Sequence, residues 1–96
     1  MEDVVYYNEL YDLYGELLTE KQRKYFEDYY FNNLSFAEMA EAYDISRNAA
    51  FKQTHIVTQK LEEYESILKL KEKREKLYKI LDNVPLEIKE KIEEII

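Results

Sequence analysis

A single glycine and a single proline, Gly15 and Pro85, punctuate the whole chain of 96 residues. Tight hairpins draw on glycine at positive φ, and phosphate-cradling loops need glycine for close backbone approach. With neither in supply, a hairpin-built sheet and a Gly-rich nucleotide loop are both disfavoured. The chain is instead rich in Glu, Lys and Leu, with Ala near its centre, all strong helix formers. An all-α fold is expected. With 46% apolar and 36% charged residues the composition is globular rather than disordered, and the length suits one core. No cysteine is present, which rules out disulfides, a thiolate metal centre and a cysteine nucleophile. The opening residues, MEDVVYYNELYDLYGELL, are acidic and lack the basic start of a signal peptide. No apolar run approaches the roughly 18 residues that a membrane helix needs, so a cytoplasmic protein without membrane insertion is expected.

Apolar spacing predicts five helical segments. The first covers 3–15, with Val4, Tyr7, Leu10, Tyr11 and Tyr14 on one face and Gly15 as its end or kink. The second, to about residue 30, opens at Thr19, which with Gln22 makes a capping box, and turns Tyr25, Phe26, Tyr29 and Tyr30 inward. Asn32 and Asn33 mark a loop. A short third helix starts at Ser35 with Glu38 in the capping-box position, followed by Met39, Ala40 and Tyr43. Asp44 occupies the turn, where aspartate tolerates the left-handed conformation. From Ser46 a stripe of Ala50, Thr54, Val57, Leu61, Tyr64 and Leu68 predicts one long fourth helix extending towards Leu81. Its drift after Leu68 allows a kink near 66–70. Pro85 stops it, and 86–96 form a last amphipathic helix with Ile88, Ile92 and Ile95 on one face.

Residues 34–61 meet the requirements of a helix-turn-helix. Ala40 is small where two helices cross, Asp44 sits at the turn, Ile45 plugs the angle between the helices, and Ser46 caps the second helix. Arg47, Asn48, Phe51, Lys52 and His55 then point outward from the first turns, the part of a recognition helix that enters a major groove. The net charge of −7 argues against a polyanionic partner, but it is unevenly spread. Residues 45–60 carry three bases, Arg47, Lys52 and Lys60, and no acid. A second basic run, Lys69 to Lys79, holds six bases against Glu72 and Glu75, with Lys69, Lys73 and Lys76 near one face. An acidic protein with two local basic surfaces is expected to bind nucleic acid weakly and with strong salt dependence.

The segments around this unit carry a resemblance. Leu17-Leu18-Thr19-x-Lys21-Gln22-Arg23, Tyr29-Tyr30, Ser35, Glu38-Met39-Ala40-Glu41, Ile45-Ser46-Arg47-x-Ala49 and Leu61-Glu62-Glu63-Tyr64-Glu65 resemble the YlxM family over about residues 5–68. That family consists of small bacterial helix-turn-helix proteins similar to region 4 of sigma factors. The resemblance implies a tri-helical unit without a wing, able to dimerise, and a regulatory role around the signal recognition particle. It implies as partners the particle's RNA, its GTPase or that GTPase's receptor. Residues 69–96 share only helical character with the family. Where relatives tend to carry a Lys-Arg pair past the middle of the recognition helix, this chain has His55 and Ile56, which removes positive charge. Lys52 restores part of it.

Other chemistries find less support. His55 is the only histidine and has no second ligand type at metal spacing. The pairs Glu62-Glu63 and Glu93-Glu94 diverge by about 100° on a helix and cannot face one another as an acid–base couple. No nucleophile arrangement exists, so neither an enzyme nor a cofactor is expected. The ten tyrosines follow helical faces, which reads as core or dimer interface with hydroxyls at the rim rather than a stacking platform for single-stranded RNA. The expected site is Arg47, Asn48, Lys52 and His55, with Lys69, Lys73 and Lys76 as supporting phosphate contacts. The expected organisation is a helix-turn-helix domain over 1–68, its unit at 35–61, and a helical extension over 69–96 that serves as a dimerisation arm or folds back on its own chain. The leading expectation is a non-enzymatic regulatory accessory of the signal recognition particle that binds nucleic acid, RNA ahead of DNA, a particle protein, or both. The alternatives are a sequence-specific DNA-binding transcriptional regulator and a protein-interaction module without nucleic-acid binding.

Overall fold

The computed structural model describes residues 3–96. Six α-helices follow in order: α1 (Val4–Tyr14), α2 (Glu20–Tyr30), α3 (Phe36–Tyr43), α4 (Arg47–Leu68), α5 (Leu70–Leu81) and α6 (Leu86–Glu93). A single 3₁₀ turn, Gly15–Leu17, joins α1 to α2, and no strand occurs among the described residues. None of these helices is long and apolar enough to cross a membrane.

The helix starts are set by side chains read directly from the sequence. Thr19 accepts from the Gln22 amide while the Gln22 side chain accepts from the Thr19 amide, and Ser35 and Glu38 repeat the arrangement on α3. Ser46 accepts from the Ala49 amide at 3.0 Å and opens α4. Each such cap satisfies amides that the helix itself leaves open, worth about 1 kcal/mol. Gly15 stands where α1 passes into the 3₁₀ turn, and a larger residue there would crowd a neighbour. A Cβ there would meet the Tyr11 ring at 3.1 Å, and that ring is stacked on Phe26.

Two packed clusters form the core. Leu10, Tyr14, Leu18, Phe26, Tyr30, Val57 and Leu61 join α1 and α2 to the middle of α4. Tyr25, Met39 and Ala50 join α2, α3 and the start of α4, with Ala40 and Ile45 packed against them. Fully burying one such side chain contributes about 1.5–3 kcal/mol. The tyrosines are wired as well as buried. Tyr7 and Tyr14 of α1 donate to Glu62 and Glu65 of α4, Tyr11 donates to Glu27 of α2, and Tyr43 of α3 donates to Asp28 of α2. These four bonds tie the helices pairwise at the rim of the core.

The single long helix expected from Ser46 towards Leu81 is corrected: at the place where a kink was allowed, near 66–70, it ends and a new helix begins. The chain breaks fully at Lys69, whose φ of 55° and ψ of 33° are left-handed, and Leu68, the last residue of the apolar stripe, is 42% exposed. Tertiary contacts hold the break. Tyr14 accepts from the Leu70 amide at 3.0 Å, and the Glu65 carboxylate accepts from the amides of Lys71 and Glu72, capping α5 from the preceding helix. Lys71 then pairs with Glu9 and Glu75 and lies over the Tyr6 ring, fastening α5 to α1. The apolar faces expected of α1 and α6 are also incomplete, since Val4 and Ile88 are exposed and Ile95 lies beyond the end of α6. The last residues turn back towards α5, where Arg74 donates to the Ile96 carbonyl. The molecule is elongated, 54 × 25 × 23 Å.

Candidate nucleic-acid interface

Helices α3 and α4 form the helix-turn-helix. The turn between them rests on Asp44, at φ 54° and ψ 49°, whose amide and that of Ile45 both donate to the Ala40 carbonyl. This closing pattern needs a left-handed residue, and aspartate adopts it at modest cost. The turn throws α4 off at an angle that buries Ala50, Thr54, Val57, Thr58 and Leu61 along one side. Thr54 and Thr58 carry hydroxyls into that buried side, and both donate to backbone carbonyls, of Ala50 and His55.

The opposite side of α4 is open. Arg47, Asn48, Lys52 and His55 are all exposed there, within the helix's first nine residues, so the structure brings these four expected site residues together. None is engaged in an ion pair among the described residues. The acids nearest in sequence belong to α3 and its turn. Of these, Glu38 is spent on the capping box, and the hydrogen bonds it shares with Ser35 hold its carboxyl below the ordinary range.

Lys69, Lys73 and Lys76 lie elsewhere. Lys69 is the residue at the break, Lys73 borders a cleft with Leu13 and Leu77, and Lys76 pairs with Glu72 at 3.3 Å. Helix α4 has 22 residues, which at 1.5 Å per residue separates Arg47 from Lys69 by about 33 Å. The acidic Glu62 and Glu63 fall between them. The two basic surfaces are distinct.

One set of residues at the open face was not assigned from sequence. Tyr29, Phe36 and Phe51 form a row of rings that His55 continues: Tyr29 stacks on Phe36 at 4.7 Å, Phe36 meets Phe51 edge-on at 5.4 Å, and Phe51 lies parallel to His55 at 5.9 Å. Phe36 and Phe51, with Arg47 and Asn48, line an open cleft of about 470 Å³. The sequence marks Phe51 as outward-facing, but nothing in its spacing shows that Phe36, from the start of α3, stands beside it.

The flanking segments that carry the family resemblance, around Thr19–Arg23 and Leu61–Glu65, prove to be scaffold. Thr19 and Gln22 cap α2, Arg23 donates to the Leu18 carbonyl, and Glu62 and Glu65 receive the tyrosines of α1. Comparison with known proteins agrees with that resemblance. A UPF0122 protein of Shouchella clausii is 48% identical over 68 residues, covering 71% of this chain and 62% of the relative. One of Halalkalibacterium halodurans is 46% identical over 77 residues, 80% of this chain and 71% of the relative. One of Caldanaerobacter subterraneus subsp. tengcongensis is 39% identical over 83 residues, 86% and 71%. The first of these matches thus spans less than two thirds of its relative. The model of the UPF0122 family, described as helix-turn-helix protein, YlxM / p13 like, matches residues 1–95, and the chain belongs to that family.

Proposed function

We propose that this protein is a non-enzymatic regulatory factor that binds nucleic acid through the open face of the first half of α4. The observation that carries the reading is the grouping of Arg47, Asn48, Lys52 and His55. All four project from the first turns of a helix-turn-helix's second helix, inside a stretch, 45–60, that holds no acid. We further propose the RNA of the signal recognition particle as that nucleic acid, on the resemblance of the LLT-x-KQR and LEEYE segments to the YlxM family. Lys69, Lys73 and Lys76 support the contact only on a nucleic acid long enough to span α4, and Lys76 must first leave Glu72.

Exposed apolar side chains at the far end, Ile67, Ile80, Leu86 and Ile88, support a homodimer contact through 69–96 as part of the same reading. A contact with the particle's GTPase or its receptor competes for that surface. Titration of the protein against the particle RNA, random duplex DNA and the GTPase, each at two salt concentrations, tests the set. RNA preference that Arg47→Ala and Lys52→Ala weaken is the expected result. Tight, sequence-dependent duplex binding would replace it with a DNA-binding transcriptional regulator. Binding to the GTPase alone, indifferent to both substitutions, would replace it with a protein-interaction module.

A further inference from the structure

We propose that the open cleft lined by Phe36, Phe51, Arg47 and Asn48 receives one unpaired nucleobase of an RNA loop, so that this helix-turn-helix reads a splayed base rather than a groove. The proposal rests on α4 being the nucleic-acid face and names the part of the RNA that the face takes. Three observations carry it. Phe51 is 39% exposed at the centre of the basic face, where a phosphate-binding surface would gain more from a polar residue. Its ring is not isolated but is held in register by Phe36 on α3, which is itself stacked on Tyr29. The cleft they wall is finished by a guanidinium, Arg47, and a side-chain amide, Asn48.

The chemistry of that lining fits a base and its phosphate. An aromatic face takes any base by stacking, a guanidinium binds phosphate or stacks in turn, and an amide offers both a donor and an acceptor to a base edge. A-form RNA closes the alternative geometry, because its major groove is too deep and narrow for a helix to read. An RNA whose bases α4 contacts, beyond the phosphate contacts a duplex also offers, must therefore present them unpaired. Within this face the open cleft of about 470 Å³ beside Phe36 and Phe51 offers such a base an aromatic side to stack on.

The test uses the full chain and a short RNA hairpin carrying one 5-iodouridine in its loop. The same strand annealed to its complement and a DNA hairpin of the same sequence complete the set. Photo-crosslinking followed by peptide mass spectrometry is expected to place the adduct on Phe51 or Phe36 with the RNA hairpin and to give none with the duplex. Phe51→Ala is expected to weaken hairpin binding about ten-fold while leaving duplex binding and the salt slope unchanged. Arg47→Ala should weaken hairpin and duplex alike and lower the salt slope by about one. Phe51→Leu, which keeps apolar packing against Phe36, guards against misfolding and should lose affinity too, with an unchanged circular dichroism spectrum.

If Phe51→Ala and Phe51→Leu bind the hairpin as the wild type does while Arg47→Ala is weakened, the cleft is not a base site, yet α4 remains the nucleic-acid face. Equal crosslinking of the DNA hairpin would overturn the assignment to RNA. If no nucleic acid binds and Phe51→Leu instead weakens binding to the particle's GTPase, the cleft belongs to a protein contact, and both readings fall together.

Discussion

The Tyr14 hydroxyl, on a side chain 1% exposed, donates to Glu65 at 2.6 Å and accepts from the Leu70 amide at 3.0 Å. Removing it therefore leaves two part-buried polar groups short of a partner, and the cost is set by their desolvation rather than by the lost bond alone. Tyr14→Phe, which keeps the ring in the core, is expected to destabilise the protein by about 1–3 kcal/mol, read from the urea midpoint. A loss below a few tenths would mean that water replaces the hydroxyl and that the junction is looser than the structure has it. Glu65 adds a pH dependence. Burial works against its ionisation, but the hydrogen bonds from Tyr14 and from the amides of Lys71 and Glu72, with the Lys71 charge, outweigh it and hold the carboxyl below the ordinary 4.5. A depressed folded value means that the contribution is complete above 4.5 and fades as pH falls through the folded value. Urea midpoints followed into acid should drop more steeply for the wild type than for Glu65→Gln. The tyrosines act with the opposite sign. Burial, and then the bond to a carboxylate, pushes Tyr7 and Tyr43 up to about 12. Their contribution is complete below 10.0 and is lost as pH rises through about 12, which predicts alkaline unfolding with a tyrosinate absorbance change in the same transition.

The break between α4 and α5 separates two accounts of the same residues. As a continuous helix, residues 47–81 would place Lys69 at an ordinary helical position, and glycine there would cost about 1 kcal/mol relative to a good helix former. In the broken form Lys69 bears a left-handed backbone, which costs a residue with a Cβ about 1–2 kcal/mol and costs glycine almost nothing. Lys69→Gly is thus expected to raise thermal stability, and a lowered melting temperature would restore the continuous helix. Why the sequence did not show the break follows from where its cap comes from. Helices α2, α3 and α4 begin at Thr19, Ser35 and Ser46, each capping its own first turn, and all three were legible. Helix α5 is capped by Glu65, whose side chain reaches forward from the helix before, and by Tyr14, 56 residues away. No local pattern encodes such a cap. Only the drift of the stripe after Leu68 hinted at it. The candidate site divides the same way. Arg47, Asn48, Lys52 and His55 lie on one helix and share a face by periodicity alone, whereas the Phe36–Phe51 cleft joins two helices and depends on the angle of the Asp44 turn.

Taken whole, the molecule is 54 Å long, with its basic face at the start of α4 and a group of exposed apolar residues, Ile80, Leu86 and Ile88, on α5 and α6. Its net charge of −7 would limit what a single copy can bind, since long-range repulsion would oppose the few phosphate contacts proposed for Arg47 and Lys52. Doubling the face overcomes this without any new contact, because a second recognition helix tethered to the first binds at high effective concentration. A homodimer through α5 and α6 would hold two such faces apart at opposite ends of one assembly, so the gain is confined to an RNA long enough to reach both. It would also cover Leu86 and Ile88, which are 68% and 49% exposed and touch no buried cluster. Replacing Ile88 with aspartate sets a charge into the middle of that surface, while the exposed position leaves the monomer's core alone. Ile88→Asp is therefore expected to sediment as a monomer at concentrations where the wild type is a dimer, with an unchanged helical spectrum. It should also bind the particle RNA at least ten-fold more weakly, although residue 88 lies far from α4 in the chain. A monomeric wild type at every concentration would sink the dimer. A monomeric Ile88→Asp that keeps full RNA affinity would leave the dimer standing and show that one α4 face is enough.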